Sequence, residues 1–186
     1  MPLIKEYKNF LSEDNKNFIN NVLLGANFPY YVSEFDANYP HDAKVPSYKF
    51  FCHTVLQRKE DREKGQLFNS DHARETIDIL NNFFNKAGIK AVTFFRIAYN
   101  FTFNLGQDKS FIHTDHEHDH SQVIIYLTDT LDKKSATVLV DKKGKVVEKS
   151  YPEKGKGIMF DKHPHYQVFP KKGARLVLVA TFQVNE

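Results

Sequence analysis

Between residues 92 and 184 the chain breaks into seven short runs rich in β-branched and aromatic residues: 92–104, 122–128, 136–141, 145–151, 157–160, 166–169 and 175–184. Such side chains pack well on a pleated, half-buried surface, so each run is expected as a strand. Asp141-Lys142-Lys143-Gly144 reads as a hairpin turn whose glycine can take positive φ. Strands this short and closely spaced point to an antiparallel sandwich or barrel. The 17 Phe and 9 Tyr favour a β-rich core as well.

Before Gly88 the texture is helical. Ser12 suits an N-cap, because its oxygen can accept from the open N–H groups of a first turn. Phe18, Ile19, Val22 and Leu23 follow at helical spacing, and Gly25 is placed to end the helix in a left-handed conformation, giving a helix over 13–24. Ser70 is a second N-cap candidate. Ala73, Ile77, Leu80, Phe84 and Ala87 then recur at three and four residues, and Lys86 and Gly88 close a helix over 71–87 that should lie across a sheet. Around these helices, residues 1–10 read as a short strand or irregular lead-in, 28–32 as extended, 33–47 as loop, 48–56 as a strand and 57–65 as an exposed charged loop. Helices first and strands second describe one α+β unit, mainly β, rather than two domains.

A chain of 186 residues can bury a real core. Its net charge of +3 is too small to argue for nucleic acid by itself. Eleven lysines fall between Lys133 and Lys172. They read as solvated loops and edge-strand guards, or as a basic rim facing an anionic substrate. The single cysteine, Cys52, excludes an intramolecular disulfide, reads as a buried structural thiol and fits a reducing, cytoplasmic compartment. The N-terminus has no apolar signal region, and no run approaches the ~20 apolar residues of a membrane span.

The chemistry concentrates in residues 111–121, F-I-H-T-D-H-E-H-D-H-S. On a strand, His113 and Asp115 would share a face. They would then make two thirds of a 2-His-1-carboxylate set, which holds non-haem Fe(II) on three ligands and leaves the other positions open. Downstream, G-I-M-F-D-K-H-P-H-Y-Q-V-F-P-K-K-G-A-R-L-V-L-V-A-T-F offers His163 and His165 as distal ligands. Arg175 heads the apolar run 176–180, where a buried guanidinium must find an anion.

These residues resemble the Fe(II)/2-oxoglutarate-dependent dioxygenases, in particular their prolyl 4-hydroxylase-like branch. The likeness runs from about Phe94 to Phe182. The family pattern is H-x-D, a histidine some fifty residues on, and an Arg or Lys about ten further, which His113, Asp115, His165 and Arg175 fit. I-I-Y-L-T puts Tyr126 where the family often has a tyrosine for the far carboxylate of 2-oxoglutarate. S-A-T-V-L-V-D stands where the family has G-G-x-T-x-F, with both glycines missing. The resemblance implies a double-stranded β-helix, or jelly roll, over 91–186, with 1–90 as a helical support region packed on one sheet, the whole forming a single domain over 1–186. It implies Fe(II) held by His113, Asp115 and His165, 2-oxoglutarate held by Arg175 and Tyr126, and O2 as oxidant, with ascorbate as an optional reductant. The reaction implied is hydroxylation of a peptidyl proline, another protein side chain or a small molecule, with succinate and CO2 released.

The ten-residue step to Arg175 favours His165 over His163. His116, His118 and His120, with Glu117 and Asp119, read as a polar rim. Arg96 reads as paired in the core or at the pocket edge, and Tyr99, Asn100 and Asn104 as pocket lining or structure. A jelly-roll metal- or ligand-binding protein without turnover, and a nucleic-acid-modifying dioxygenase, are the rival readings. No motif names the substrate or an oligomeric state.

Overall fold

Capping chemistry starts the first helix where the sequence places it. In the computed structural model, which describes residues 3–35, 48–61 and 67–185, Ser12 Oγ accepts from the Asn15 N–H, and the Asn15 side chain accepts from the Ser12 N–H. This reciprocal cap opens α1 (Glu13–Phe18), which follows β1 (Lys5–Tyr7). The helix then widens into a π-helical turn over Ile19–Leu23, closed by Leu24 N–H donating to Ile19 O. Gly25 is not left-handed as expected. A Cβ there would lie 2.7 Å from Asn21 O, so close approach is what the position requires.

After β2 (Tyr31–Phe35) and β3 (Tyr48–Leu56), α2 spans Ala73–Ala87 and ends at Gly88 with φ 75°. Ser70 is not its N-cap. His72 takes that position without a side-chain cap, and Ser70 Oγ instead accepts from the His72 N–H and meets His53 Nε2 at 2.7 Å. The helix buries Thr76, Ile79, Leu80, Phe83 and Phe84, so the expected stripe is rotated and Ala73, Ile77 and Ala87 lie at its margin. Seven strands complete the chain: β4 (Val92–Phe103), β5 (Ser121–Tyr126), β6 (Ala136–Val140), β7 (Val146–Ser150), β8 (Gly157–Asp161), β9 (His165–Val168) and β10 (Ala174–Val184). The loop expected over 33–47 lies outside the described residues beyond Phe35, and Ser33 to Phe35 belong to β2. Among the described residues no helix is long and apolar enough to cross a membrane.

Two antiparallel sheets form. The larger has the order β1-β8-β5-β10-β4-β3-β2, and the smaller β7-β6-β9. Three strands of the large sheet thus come from the first 90 residues. Lys109 and His113 add isolated bridges to Val168 and His165, extending the small sheet along β9. Alternation along β10 sorts its side chains: Leu176, Leu178, Ala180 and Phe182 pack toward the helices, while Val177 and Val179 join Leu139 of β6 between the sheets. This is the mainly β jelly roll with helices on one sheet.

The helical layer sits close to the sheet at Gly157, where a Cβ would fall 2.5 Å from the Phe83 ring. That ring is itself held edge-on by Tyr7 and Phe10. Gly157→Ala is therefore expected to cost about 1–3 kcal/mol of stability by overpacking, read as a lower urea midpoint. An unchanged midpoint would show that Phe83 yields freely.

Candidate active site

Among the described residues, one group of metal-binding side chains converges: His113, Asp115 and His165, whose ligand atoms all lie within 4.8 Å of one another. The backbone brings the histidines together. His113 N–H donates to His165 O and His165 N–H to His113 O, both at 2.9 Å, which sets the rings 4.5 Å apart. His113 makes only this single bridge, and Asp115 lies in a bend beyond it. The shared side of His113 and Asp115 thus comes from the bend, not from the pleat of a regular strand. Arg58 secures the bend, its Nη2 donating to Asp115 O at 3.1 Å.

Each imidazole is oriented by a carbonyl two residues earlier: His113 Nδ1 lies 3.2 Å from Phe111 O, and His165 Nδ1 2.9 Å from His163 O. A carbonyl only accepts, so each Nδ1 carries the proton and each Nε2 keeps the lone pair a metal needs. Asp115 Oδ2 is buried, has no hydrogen-bond partner among the described residues and lies 3.5 Å from His165 Nε2. A buried carboxylate oxygen left unpartnered is costly, and a divalent cation between it and the imidazoles would relieve the cost. Two imidazoles and one carboxylate are the donor set of non-haem Fe(II), so these residues fit that ion.

Protonation agrees with ligation. Burial raises the Asp115 carboxyl, but His165, His113, Arg96 and His120 outweigh it and hold the group at about 2. Burial holds His165 at about 4, helped by His113 and opposed by Asp115. Burial, then His120 and Arg58, hold His116 at about 4 also. The ordinary histidine value is 6.5, so on acidification the unfolded chain takes up protons at these two positions before the folded one does. Their contribution to stability is complete above about pH 6.5 and is lost as pH falls toward 4. Urea midpoints of metal-free protein should fall across that window, and fall less in His116→Gln. A flat profile would reject the assignment.

The three ligands line a cavity of about 90 Å³ between the sheets. Gln122 and Ile124 reach it from β5, Asn100 and Arg96 from β4, Thr137 from β6, Gln167 from β9, and Arg175, Val177 and Val179 from β10. Arg175, only 2% exposed, donates from Nη1 to Gln167 Oε1 and from Nη2 to Thr137 Oγ1, both at 2.7 Å. Its guanidinium lies over the Tyr126 ring, 5.4 Å from the centroid. Tyr126 is fully buried beside the cavity lining, and its hydroxyl donates to Thr137 Oγ1 at 2.9 Å.

His165 rather than His163 joins the group, and His163 Nε2 is buried without a partner among the described residues. The rings of His116, His118 and His120 pack together against Phe95, with His116 Nε2 2.7 Å from Thr181 Oγ1. Tyr99 faces the helices and meets Thr76 Oγ1 at 2.8 Å, and Asn104 is exposed just past the end of β4, so of the three candidates only Asn100 lines the cavity. None of the eleven lysines lines it. Phe50, Arg58, Gln122, Thr137 and Gln167 are lining residues that the sequence reading did not single out. Gln122 and Gln167 share strand parity with Tyr126 and His165, a signal that could have found them. Arg58 carried no such signal, since it opens a charged run expected to be an exposed loop.

No family model and no curated protein matches the sequence. Solved structures do match the fold. A 2OG-Fe(II) oxygenase family oxidoreductase from Burkholderia pseudomallei superposes with a TM-score of 0.72 at 17% identity, over 97% of this chain and 85% of that one. A Trichoplax adhaerens prolyl hydroxylase, solved with a hypoxia inducible factor peptide fragment, gives 0.62 at 12% identity over 97% and 83%. The viral collagen prolyl hydroxylase of Paramecium Bursaria Chlorella virus-1 gives 0.57 at 14% over 99% and 97%. At such identities the likeness is one of architecture: the chain has the jelly-roll fold of the 2-oxoglutarate–Fe(II) oxygenases.

Proposed function

We propose that this protein is a non-haem Fe(II)- and 2-oxoglutarate-dependent dioxygenase that hydroxylates its substrate and releases succinate and CO2. The observation that carries the reading is the meeting, in one cavity, of the His113–Asp115–His165 group and the buried guanidinium of Arg175. His113, Asp115 and His165 would hold Fe(II) from one side. Arg175 would take the far carboxylate of 2-oxoglutarate with a two-pronged grip, its plane held by Gln167 and Thr137. Tyr126 would support that end, its ring under the guanidinium and its hydroxyl on Thr137. Phe50, Ile124, Val177 and Val179 would exclude water from the reacting centre. Bound there, Fe(II) and 2-oxoglutarate supply the activation of dioxygen. The first candidate substrate is a peptidyl proline or another protein side chain, since two structures of similar fold are prolyl hydroxylases.

The test is oxygen-dependent succinate release from 2-oxoglutarate on adding Fe(II), with and without peptide pools. Release that requires both Fe(II) and O2 supports the reading. Binding of Fe(II) without 2-oxoglutarate binding or succinate would make the protein a jelly-roll metal-binding protein instead.

A further inference from the structure

The charges of the cavity do not balance once the proposed metal and co-substrate are in place. A divalent ion, the Asp115 carboxylate, the Arg175 guanidinium and dianionic 2-oxoglutarate sum to neutrality. Two cavity-lining cations remain, Arg58 and Arg96. Among the described residues no carboxylate lies within ion-pair distance of either, and Arg58 Nε is buried with no hydrogen-bond partner. Both sit beside the metal ligands: Arg58 is tied to Asp115 O, and the Arg96 charge acts on the Asp115 carboxylate. Asn100, on the strand that carries Arg96, turns a buried Oδ1 without a partner toward the same space.

Half-buried guanidinium groups without an ion pair among the described residues are costly unless an anion meets them. A substrate is a natural source of that anion. Building on the dioxygenase reading, we infer that the substrate carries a carboxylate or similar anionic group, anchored by Arg58 and Arg96, which places the carbon to be oxidised against the metal. Asn100 would accept from an N–H or O–H group of the same molecule. The anion has two sources, a free carboxylate on a small molecule or an acidic side chain in a peptide.

Binding to the Mn(II)- and 2-oxoglutarate-loaded protein, measured by calorimetry, tests this without turnover. The probes are N-acetylglycine against its neutral amide, and acetyl-Pro-Asp-amide against acetyl-Pro-Asn-amide. In at least one pair the charged member should bind about tenfold or more tightly than the neutral one, and that pair identifies the source. Arg96→Gln should remove most of the preference while weakening 2-oxoglutarate far less than the anion. Arg58→Gln should remove it too, together with some metal affinity, because it releases the bend that carries Asp115. Normal 2-oxoglutarate binding with no charge preference in either pair overturns this inference alone. So does a loss of 2-oxoglutarate affinity in step with the anion in Arg96→Gln, which would assign that arginine to the co-substrate. Failure of the parent protein to bind 2-oxoglutarate with Mn(II) overturns the dioxygenase reading, and this inference with it.

Discussion

Asp115→Ala is expected to lower Fe(II)-dependent succinate formation by at least about 100-fold while leaving the fold in place; losing even an outer-shell partner of a metal ligand commonly costs 10–100-fold. The fold should survive because the side chain belongs to none of the core clusters and its Oδ2 makes no hydrogen bond among the described residues. The bend that carries it is tied through the backbone, by Arg58 to Asp115 O, and that bond does not need the carboxylate. A second readout separates ligation from general damage. A ligand that binds only the folded state raises the melting temperature. Mn(II) should therefore stabilise the parent protein and not the variant, while the metal-free melting curves stay close. If the variant keeps its metal-induced shift, the ion is held elsewhere, and the packed rings of His116, His118 and His120 become the place to look.

Arg175→Ala should raise the 2-oxoglutarate requirement by about 100-fold, since two charge-assisted hydrogen bonds are lost, and should weaken metal binding far less. Arg175→Lys should fall between, because it keeps the charge and loses the fork. Emptying this site also removes partners from Gln167, Thr137 and the Tyr126 ring, so stability will drop as well. The split between the two affinities is the decisive quantity. Equal weakening of metal and co-substrate would make Arg175 a structural residue that holds the two sheets together.

Much of the fold was legible in order. β-branched and aromatic runs between turn residues located all seven strands after Gly88 to within a residue or two, because strand composition is a local property. The helices were legible in extent but less so at their ends. Ser70 looked like a cap, yet His53, brought over from β3, engages its hydroxyl, and the helix starts at His72 without a side-chain cap. The π-helical turn at Ile19–Leu23 carries no local signal that separates it from an α-helix. At Gly25 crowding by Asn21 O, rather than a positive φ, excludes a side chain, and that contact is not visible in the local sequence.

The spacing of His113, Asp115, His165 and Arg175, with Tyr126 between, was enough to nominate a metal and a co-substrate, because ligand identity and order along the chain survive in sequence. Their assembly was not there to read. His113 meets His165 through one backbone bridge across 52 positions, and Asp115 turns toward them only through a bend held by Arg58. The same holds for the cavity's charge. Arg58 lies in a polar run and Arg96 in an aromatic strand, with nothing in either neighbourhood to link them. Only the packing of β4 beside β10, with the 111–121 segment folded across them, sets both arginines beside one carboxylate and makes their unbalanced charge a property of the site. Local patterning determines which residues alternate and which can ligate; long-range pairing decides which of them share a space, because that depends on register between strands far apart in the chain.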